Sequence, residues 1–147
     1  MRAYLDTSAF VKRYMGERDS DRIDELFESA LKEELTIVIS YWNVAEAAVV
    51  FDKFGRRVGN RKEALSLTTK MLNEMDLLNR SQSIVVEEVS QSALKDSITL
   101  VLKHRIYVAD ALQIATAKIS SAEVFFTADR QLGAIAEKEG LKTVILG

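Results

Sequence analysis

Five short apolar runs, each of strand length, are separated along this chain by segments of helical periodicity. The runs are rich in Val, Ile, Phe and Leu and lack the polar alternation of a strand with one solvated face. The predicted strands are Ala3 to Leu5, Thr36 to Ile39, Ser83 to Val86, Glu123 to Thr127, and Lys142 to Leu146. Continuous apolar strands that alternate with helices indicate a parallel sheet covered by helices on both faces.

The segments between the strands carry helix start and stop signals. Ser40 and Asn60 are placed to cap helices, and Glu63 completes a capping-box spacing after Asn60. Gly140 is placed to end a helix. The predicted helices run from 40 to about 54, from 60 to about 79, and from 129 to 140. With no repeat and no linker, the 147 residues predict a single domain, 1–147.

Composition excludes several classes of function. Hydrophobic residues make up 48% and charged residues 29%, which predicts a globular protein and excludes a disordered chain. No apolar run approaches the ~20 residues of a membrane span, so we expect no membrane partner and a cytoplasmic location. Zero cysteines and one histidine exclude thiol chemistry and multi-histidine metal sites. The net charge of -2 gives no general attraction to nucleic acid.

Four carboxylates stand where a strand ends or a helix begins. Asp6 and Asp129 follow the first and fourth predicted strands, and Glu46 and Asp110 are predicted in the first turns of helices. Because ligands bind beyond the carboxyl ends of parallel strands, one fold can bring all four together. Four repelling charges in a partly dry cleft require a cation, and oxygen-only ligation suits Mg²⁺ or Mn²⁺ better than zinc.

Each carboxylate also has a structural interpretation. The two strand-end aspartates could be helix N-caps, and Asp110 could interact with a helix dipole. Glu46 is harder to explain in this way, because it shares a helix face with Trp42 and Val49. A lone carboxylate on an apolar face costs several kcal/mol unless its charge is compensated. The joint occurrence of all four favours a shared site.

The ordered motifs resemble those of a known family. They are Asp6-Thr7-Ser8 after the first strand, the helix-borne Glu46, Asp-Ala-Leu-x-x-Ala from Asp110, and Thr127-x-Asp129 before a helix. This order resembles the PIN domain, and within it the VapC-like ribonuclease toxins. The resemblance implies a PIN-like three-layer α/β/α sandwich with a central, mainly parallel sheet of about five strands. It implies that the four acidic residues are both catalytic and metal-binding.

The same resemblance implies a function. The expected activity is that of an Mg²⁺- or Mn²⁺-dependent endoribonuclease that hydrolyses RNA with metal-activated water and leaves 5′-phosphate and 3′-hydroxyl ends. Thr127 and Ser8 would be supporting hydroxyls beside the acidic quartet. The implied partners are an RNA substrate, a cognate antitoxin whose Arg or Lys enters the acidic pocket, and a second copy of the chain.

Substrate contacts are less readable from the sequence. Lys12 and Arg13 follow Asp6 by one to two helical turns and are the candidate RNA-binding residues, with surface ion pairs as the alternative. A second set of cations surrounds a glycine-containing turn and could follow phosphates or form a solvated surface. This basic cluster consists of Lys53, Arg56, Arg57, Arg61 and Lys62.

Two other classes of function stay open at this point. An aspartate that ends a first strand can be phosphorylated, as in receiver-like or haloacid-dehalogenase-like phosphotransfer domains. The sequence lacks the second aspartate two residues after Asp6 and the acidic pair before it that these classes use. The third class is a non-catalytic interaction module in which the carboxylates bind a basic peptide.

Overall fold

The computed structural model describes residues 1–147 and contains one five-stranded sheet. The strands are β1 (Arg2–Leu5), β2 (Thr36–Ser40), β3 (Ile84–Glu87), β4 (Val124–Thr127) and β5 (Lys142–Ile145). Their order across the sheet is β3-β2-β1-β4-β5, and every neighbouring pair is parallel. The predicted strands are confirmed to within one residue at each end, and the sheet is wholly parallel.

Seven α-helices and one short 3-10 helix connect the strands. They are α1 (Thr7–Phe10), the 3-10 helix (Val11–Arg13), α2 (Ser20–Leu31), α3 (Tyr41–Arg57), α4 (Arg61–Arg80), α5 (Gln91–His104), α6 (Val108–Ile119) and α7 (Arg130–Lys138). None of these helices has the length and apolar character needed to cross a membrane.

Helix ends follow the sequence signals with two differences. The Ser40 side chain accepts a hydrogen bond from the Trp42 N–H at 3.1 Å, and α3 continues three residues beyond the predicted end. Asn60 caps α4 through the Lys62 N–H at 3.1 Å, but the expected capping box with Glu63 does not form. Instead, Asn43 completes a capping box at Ser40, which the sequence reading missed.

Alternate residues of each central strand pack on opposite faces of the sheet. Leu5 and Ile37 belong to an apolar cluster that α1 to α4 cover, whereas Tyr4 and Phe125 belong to a second cluster with α5 to α7. The Tyr4 and Phe125 rings stack at 5.5 Å between centroids. Full burial of one such side chain contributes roughly 1.5 to 3 kcal/mol. The result is the predicted three-layer α/β/α sandwich, with all strand carboxyl ends at one edge.

Candidate active site at the carboxyl edge of the sheet

Asp6 lies directly after β1 and caps α1. Its carboxylate accepts hydrogen bonds from the Ala9 N–H at 2.9 Å, the Ser8 hydroxyl at 2.7 Å and the Thr127 hydroxyl at 2.5 Å. The side chain is buried at 4% exposure. The cap interpretation is therefore correct, and it accounts for only one of the three hydrogen bonds that Asp6 accepts.

Burial raises the pKa of Asp6 to about 6, even though its three hydrogen bonds act in the opposite direction. The negative charge of Asp129 adds to the increase. No basic group lies within 4.0 Å of any of the four candidate carboxylates. The ionised form of Asp6 thus has hydrogen bonds but no compensating positive charge.

Asp129 and Asp110 lie on neighbouring elements at the same edge. Asp129 follows β4 and caps α7 through the N–H groups of Gln131 and Leu132, at 3.0 and 3.1 Å. Asp110 lies in the first turn of α6. Its pKa is raised by partial burial and then by the charges of Asp129 and Glu46. Asp129 and Glu46 are therefore close enough to Asp110 to influence its ionisation.

Glu46 lies in the second turn of α3, one turn later than expected. Its Oε1 accepts hydrogen bonds from the Thr7 hydroxyl at 2.6 Å and from the Gln113 amide at 3.2 Å. The expectation of a buried apolar face around Glu46 is wrong, because Trp42 and Val49 are 38% and 53% exposed. Glu46 instead lies half-buried beside the first turn of α1, which aims its carboxylate at the site.

Buried polar side chains behind the carboxylates form a connected network. The Tyr4 hydroxyl donates to Gln113 Oε1 at 2.6 Å, and the Asn43 amide donates to Gln113 Oε1 at 2.8 Å and to Thr7 Oγ1 at 3.0 Å. We call Tyr4, Thr7, Asn43, Glu46 and Gln113 the polar network. No role was predicted from the sequence for Tyr4 of β1 or Asn43 of α3; for Asn43, its place three residues after the N-cap of α3 was the available signal.

The donor chemistry fits a hard divalent cation. The candidate ligand atoms are all oxygen, and no basic side chain pairs with them. One of the carboxylates, Asp6, is buried and has a raised pKa. The side chains do not converge on one point, however, and no group of three or more His, Cys, Asp or Glu side chains is arranged to hold an ion. A cation would have to draw these carboxylates together.

Comparison with known protein families identifies the kind of domain that has these carboxylates at the carboxyl edge of its sheet. The family model described as "PIN domain" matches residues 3–138. This chain belongs to the PIN domain family. The family assignment gives no support to the receiver-like and haloacid-dehalogenase-like alternatives. Comparison with curated proteins gives no match.

Solved structures with this PIN domain's fold include one that is described as a toxin. VapC20 of Mycobacterium tuberculosis, described as a sarcin-ricin loop cleaving toxin, is 16% identical, with a TM-score of 0.66 over 97% of this chain and 98% of that one. FitAcB from Neisseria gonorrhoeae is 18% identical, with a TM-score of 0.68 over 96% and 95%. VapBC2 from Rickettsia felis, bound to a promoter DNA fragment, is 17% identical, with a TM-score of 0.66 over both whole chains. At these identities the likeness establishes the fold.

In this PIN domain, Lys12 and Arg13 make contacts with other parts of the protein and none with the four carboxylates. The Lys12 amine is buried and donates to the carbonyls of Arg18 and Gly147, each at 2.8 Å. Arg13 donates two hydrogen bonds to Glu74, at 3.0 and 3.1 Å, and a further one to Asp24. The ion-pair alternative is therefore what the structure shows for these two cations, and a role in substrate binding stays a prediction.

The basic cluster lies at the turn between α3 and α4. Gly55 lets the two helices approach closely there, since a Cβ at Gly55 would lie 3.2 Å from the Ala64 Cβ. Arg56 pairs with Asp52 at 2.7 Å, and the other four cations have no carboxylate within 4.0 Å. All five are exposed. A phosphate-following role for this cluster stays a prediction.

Proposed function

We propose that this PIN domain is a metal-dependent endoribonuclease and the toxin of a toxin–antitoxin pair. The observation that carries the proposal is the uncompensated acidic edge: four carboxylates without a basic partner, one of them buried with its pKa raised to about 6. Asp129 is exposed, so the proposal depends on Asp6, because a buried structural carboxylate is normally paired with a cation. Sites that hold buried charge in a cleft are candidates for chemistry.

Asp6, Glu46, Asp110 and Asp129 would hold Mg²⁺ or Mn²⁺. When bound, such an ion supplies an activated water and neutralises charge that develops on a phosphodiester. The chain's own groups fix the ligands: the Thr127 and Ser8 hydroxyls orient Asp6, and Thr7 with Gln113 orients Glu46. The expected products carry 5′-phosphate and 3′-hydroxyl ends.

The proposed partners are an antitoxin and a second copy of the chain. Likeness to VapBC2 and FitAcB supports the antitoxin. A surface for the second copy is available on α5, where Leu94, Ile98 and Leu102 follow one another at intervals of four and are 43%, 60% and 76% exposed. A cytoplasmic location agrees with the absence of cysteine.

The decisive experiment is cleavage of a mixed RNA panel in Mg²⁺ or Mn²⁺ and in chelator. We expect cleavage only with metal, and loss of cleavage in Asp129→Asn. This variant keeps the cap of α7, because asparagine caps helices as well as aspartate does. Glu63→Gln, an exposed carboxylate on α4, is the matched control. Cleavage that persists in chelator or in Asp129→Asn would overturn the metal mechanism.

The non-catalytic alternative predicts a different result from the same panel. Such a module would bind a basic peptide at the acidic edge and cut no RNA under any metal condition.

A separate experiment tests phosphotransfer. Acetyl phosphate should leave no phosphoryl group on Asp6, as detected by mass spectrometry. A phosphorylated Asp6 would favour phosphotransfer over hydrolysis.

A further inference from the structure

An open cavity at the acidic edge is lined by two of the proposed catalytic carboxylates, and its other lining residues have no role in the chemistry proposed above. It lies between the α5–α6 linker, Arg105–Tyr107, and the first turns of α7, and it opens onto Asp110 and Asp129. Its volume is about 220 Å³. Pockets for drug-sized ligands are larger, roughly 300 to 1,000 Å³, so this cavity suits a single planar ring system.

The linker wall presents an unusually exposed aromatic ring. Tyr107 is 83% exposed, more than any other large apolar or aromatic side chain in the chain. The Tyr107 hydroxyl makes no hydrogen bond within the protein and is exposed to solvent. Arg105, two residues before Tyr107, has a left-handed backbone conformation with φ 55°. Such a conformation in a non-glycine residue costs roughly 1 to 2 kcal/mol. The Arg105 guanidinium has no carboxylate within 4.0 Å.

The opposite wall, on α7, combines apolar surface with one free amide. Leu132 and Ile135 line it and are buried at 3% and 7% exposure. Gln131 also lines the cavity, and its side-chain amide has no hydrogen-bond partner within the chain. Its backbone N–H donates to Asp129 Oδ1 at 3.0 Å. The backbone of Gln131 is therefore fixed next to a proposed catalytic carboxylate, and its exposed side-chain amide is free to contact a ligand.

The linker is anchored where it leaves α5. His104 Nε2 lies 2.8 Å from Glu139 Oε2, and Lys103 Nζ lies 2.8 Å from the same oxygen. Glu139 also accepts from Lys118 of α6 at 3.2 Å. Glu139 follows α7 directly, so these contacts tie the linker to the helix that forms the other wall. The end of α5 and the end of α7 are therefore fixed relative to each other.

We propose that this cavity binds one nucleobase of the RNA strand that the carboxylates cleave. The base stacks on Tyr107 against the apolar side chains of α7, and the Gln131 amide contacts the base edge. Single-stranded RNA is commonly recognised by splayed bases that stack on aromatic or Arg side chains and hydrogen-bond through their edges. The proposal rests on the ribonuclease function proposed above and adds a base preference beside the cleaved phosphate.

An arginine-bearing peptide is the competing occupant. A guanidinium could stack on Tyr107 and meet Asp110 and Asp129. A nucleobase is favoured because Arg105 would repel a guanidinium but would pair with the phosphate that a base carries, and because the buried apolar wall is suited to a neutral ring. The two occupants give opposite results in the binding test below.

The first test uses RNA that carries a single abasic nucleotide at successive positions around the cleaved bond. The unmodified protein should lose about 10- to 100-fold in rate at one position, the usual effect of one lost base stack. Tyr107→Ala should lose a similar factor on intact RNA and nothing further at that abasic position, whereas Tyr107→Phe should retain the ring's effect. Gln131→Ala should shift the base preference.

Tyr41→Ala is the matched control, because Tyr41 is a 58%-exposed tyrosine at the start of α3 that lines a different depression. It should keep the abasic profile of the unmodified protein. A Tyr107→Ala profile identical to that of the unmodified protein would overturn the proposal.

A second test does not depend on cleavage. The protein is titrated with the four ribonucleoside 5′-monophosphates in chelator, and separately with an arginine-rich peptide. Saturable binding of at least one nucleotide, lost in Tyr107→Ala and kept in Tyr41→Ala, supports the subsite. No nucleotide binding, equal binding by both variants, or binding of the peptide alone overturns it. Absence of RNA cleavage by the unmodified protein would instead count against the ribonuclease function.

Discussion

The Thr127 hydroxyl donates to the Asp6 carboxylate at 2.5 Å, across the carboxyl ends of two neighbouring parallel strands. Thr127 also accepts from the Asp129 N–H at 2.9 Å. One hydroxyl therefore fixes the buried carboxylate and the start of the segment that carries another. We therefore expect substitutions at the two aspartates to have similar effects on metal binding.

We expect Mg²⁺ or Mn²⁺ to raise the thermal midpoint, because a ligand that binds only the folded state stabilises it. At a concentration 100 times the dissociation constant the gain is about 2.7 kcal/mol. Asp6→Asn and Asp129→Asn should reduce this shift, and Glu63→Gln should keep it. Differential scanning fluorimetry with and without chelator checks the prediction. Equal metal-induced shifts in all four proteins would count against a shared site.

Without metal, the pH dependence of stability should report Asp6. Since its pKa is raised from 3.8 to about 6 in the fold, ionised Asp6 destabilises the folded state, and the free energy of unfolding should rise as pH falls through about 6 toward 4. The full effect is roughly 3 kcal/mol. Asp6→Asn should remove this gain. Urea melts in chelator at pH 7.5 and 4.5 measure it, and a parallel pH response in both proteins would contradict it.

Glu46→Gln should separate ligand from structural roles. Glutamine keeps an oxygen that accepts from Thr7 and Gln113, so we expect metal-free stability within about 0.5 kcal/mol of the unmodified protein. RNA cleavage under saturating metal should fall at least about 100-fold, as a lost metal ligand predicts. A large loss of metal-free stability with cleavage intact would remove Glu46 from the site.

Gln113 should be the most costly member of the polar network to replace. Gln113→Leu removes the shorter contact of the Tyr4 hydroxyl and of the Asn43 amide, at 2.6 and 2.8 Å. Each group keeps one longer contact, Tyr4 to Asn43 Oδ1 at 3.1 Å and Asn43 to Thr7 Oγ1 at 3.0 Å, so we expect a total cost of about 1 to 3 kcal/mol. Tyr4→Phe removes one of those donors, so the double variant should lose less stability than the two single losses combined. Additive losses in denaturant melts would show that the two side chains are not coupled.

Glu139 should respond to acid in the opposite direction from Asp6. Hydrogen bonds from Lys103, and then from His104, lower its pKa from 4.5 to about 2. Its stabilising contribution is therefore present above about pH 4.5 and is lost as pH falls toward 2. Glu139→Gln should cost about 1 to 2 kcal/mol at pH 7, because two of its three partners are solvent-exposed lysines. Glu137 is exposed on α7, so Glu137→Gln should change the free energy of unfolding little in the same denaturant melts.

The fold could be predicted because its signals are local. Apolar runs define the strands, and caps such as Ser40 define the helix starts within a residue or two. The positions of Asp6 and Asp129 followed from the parallel sheet, since both come directly after strands. Whether all four carboxylates share a metal remains a prediction.

The errors arose where a side chain's partners come from distant parts of the chain. The sequence could not decide between substrate binding and a structural contact for Lys12, because its acceptors include the carbonyl of Gly147, which is far away in sequence. Asn43 and Tyr4 looked unremarkable because their partner Gln113 lies on a helix that only the folded sheet brings near. The exposure of Trp42 depends on which face of α3 packs inward, and periodicity alone did not decide that.

The polar network limits which substitutions this domain can accept during evolution. Tyr4, Asn43 and Gln113 hydrogen-bond to one another in the interior, so a substitution at one position removes hydrogen bonds from both of the others. Related sequences should therefore exchange these positions as a set, for an apolar group or for another polar combination. An alignment should reveal them as covarying columns, and the loops around the acidic edge should vary independently of one another.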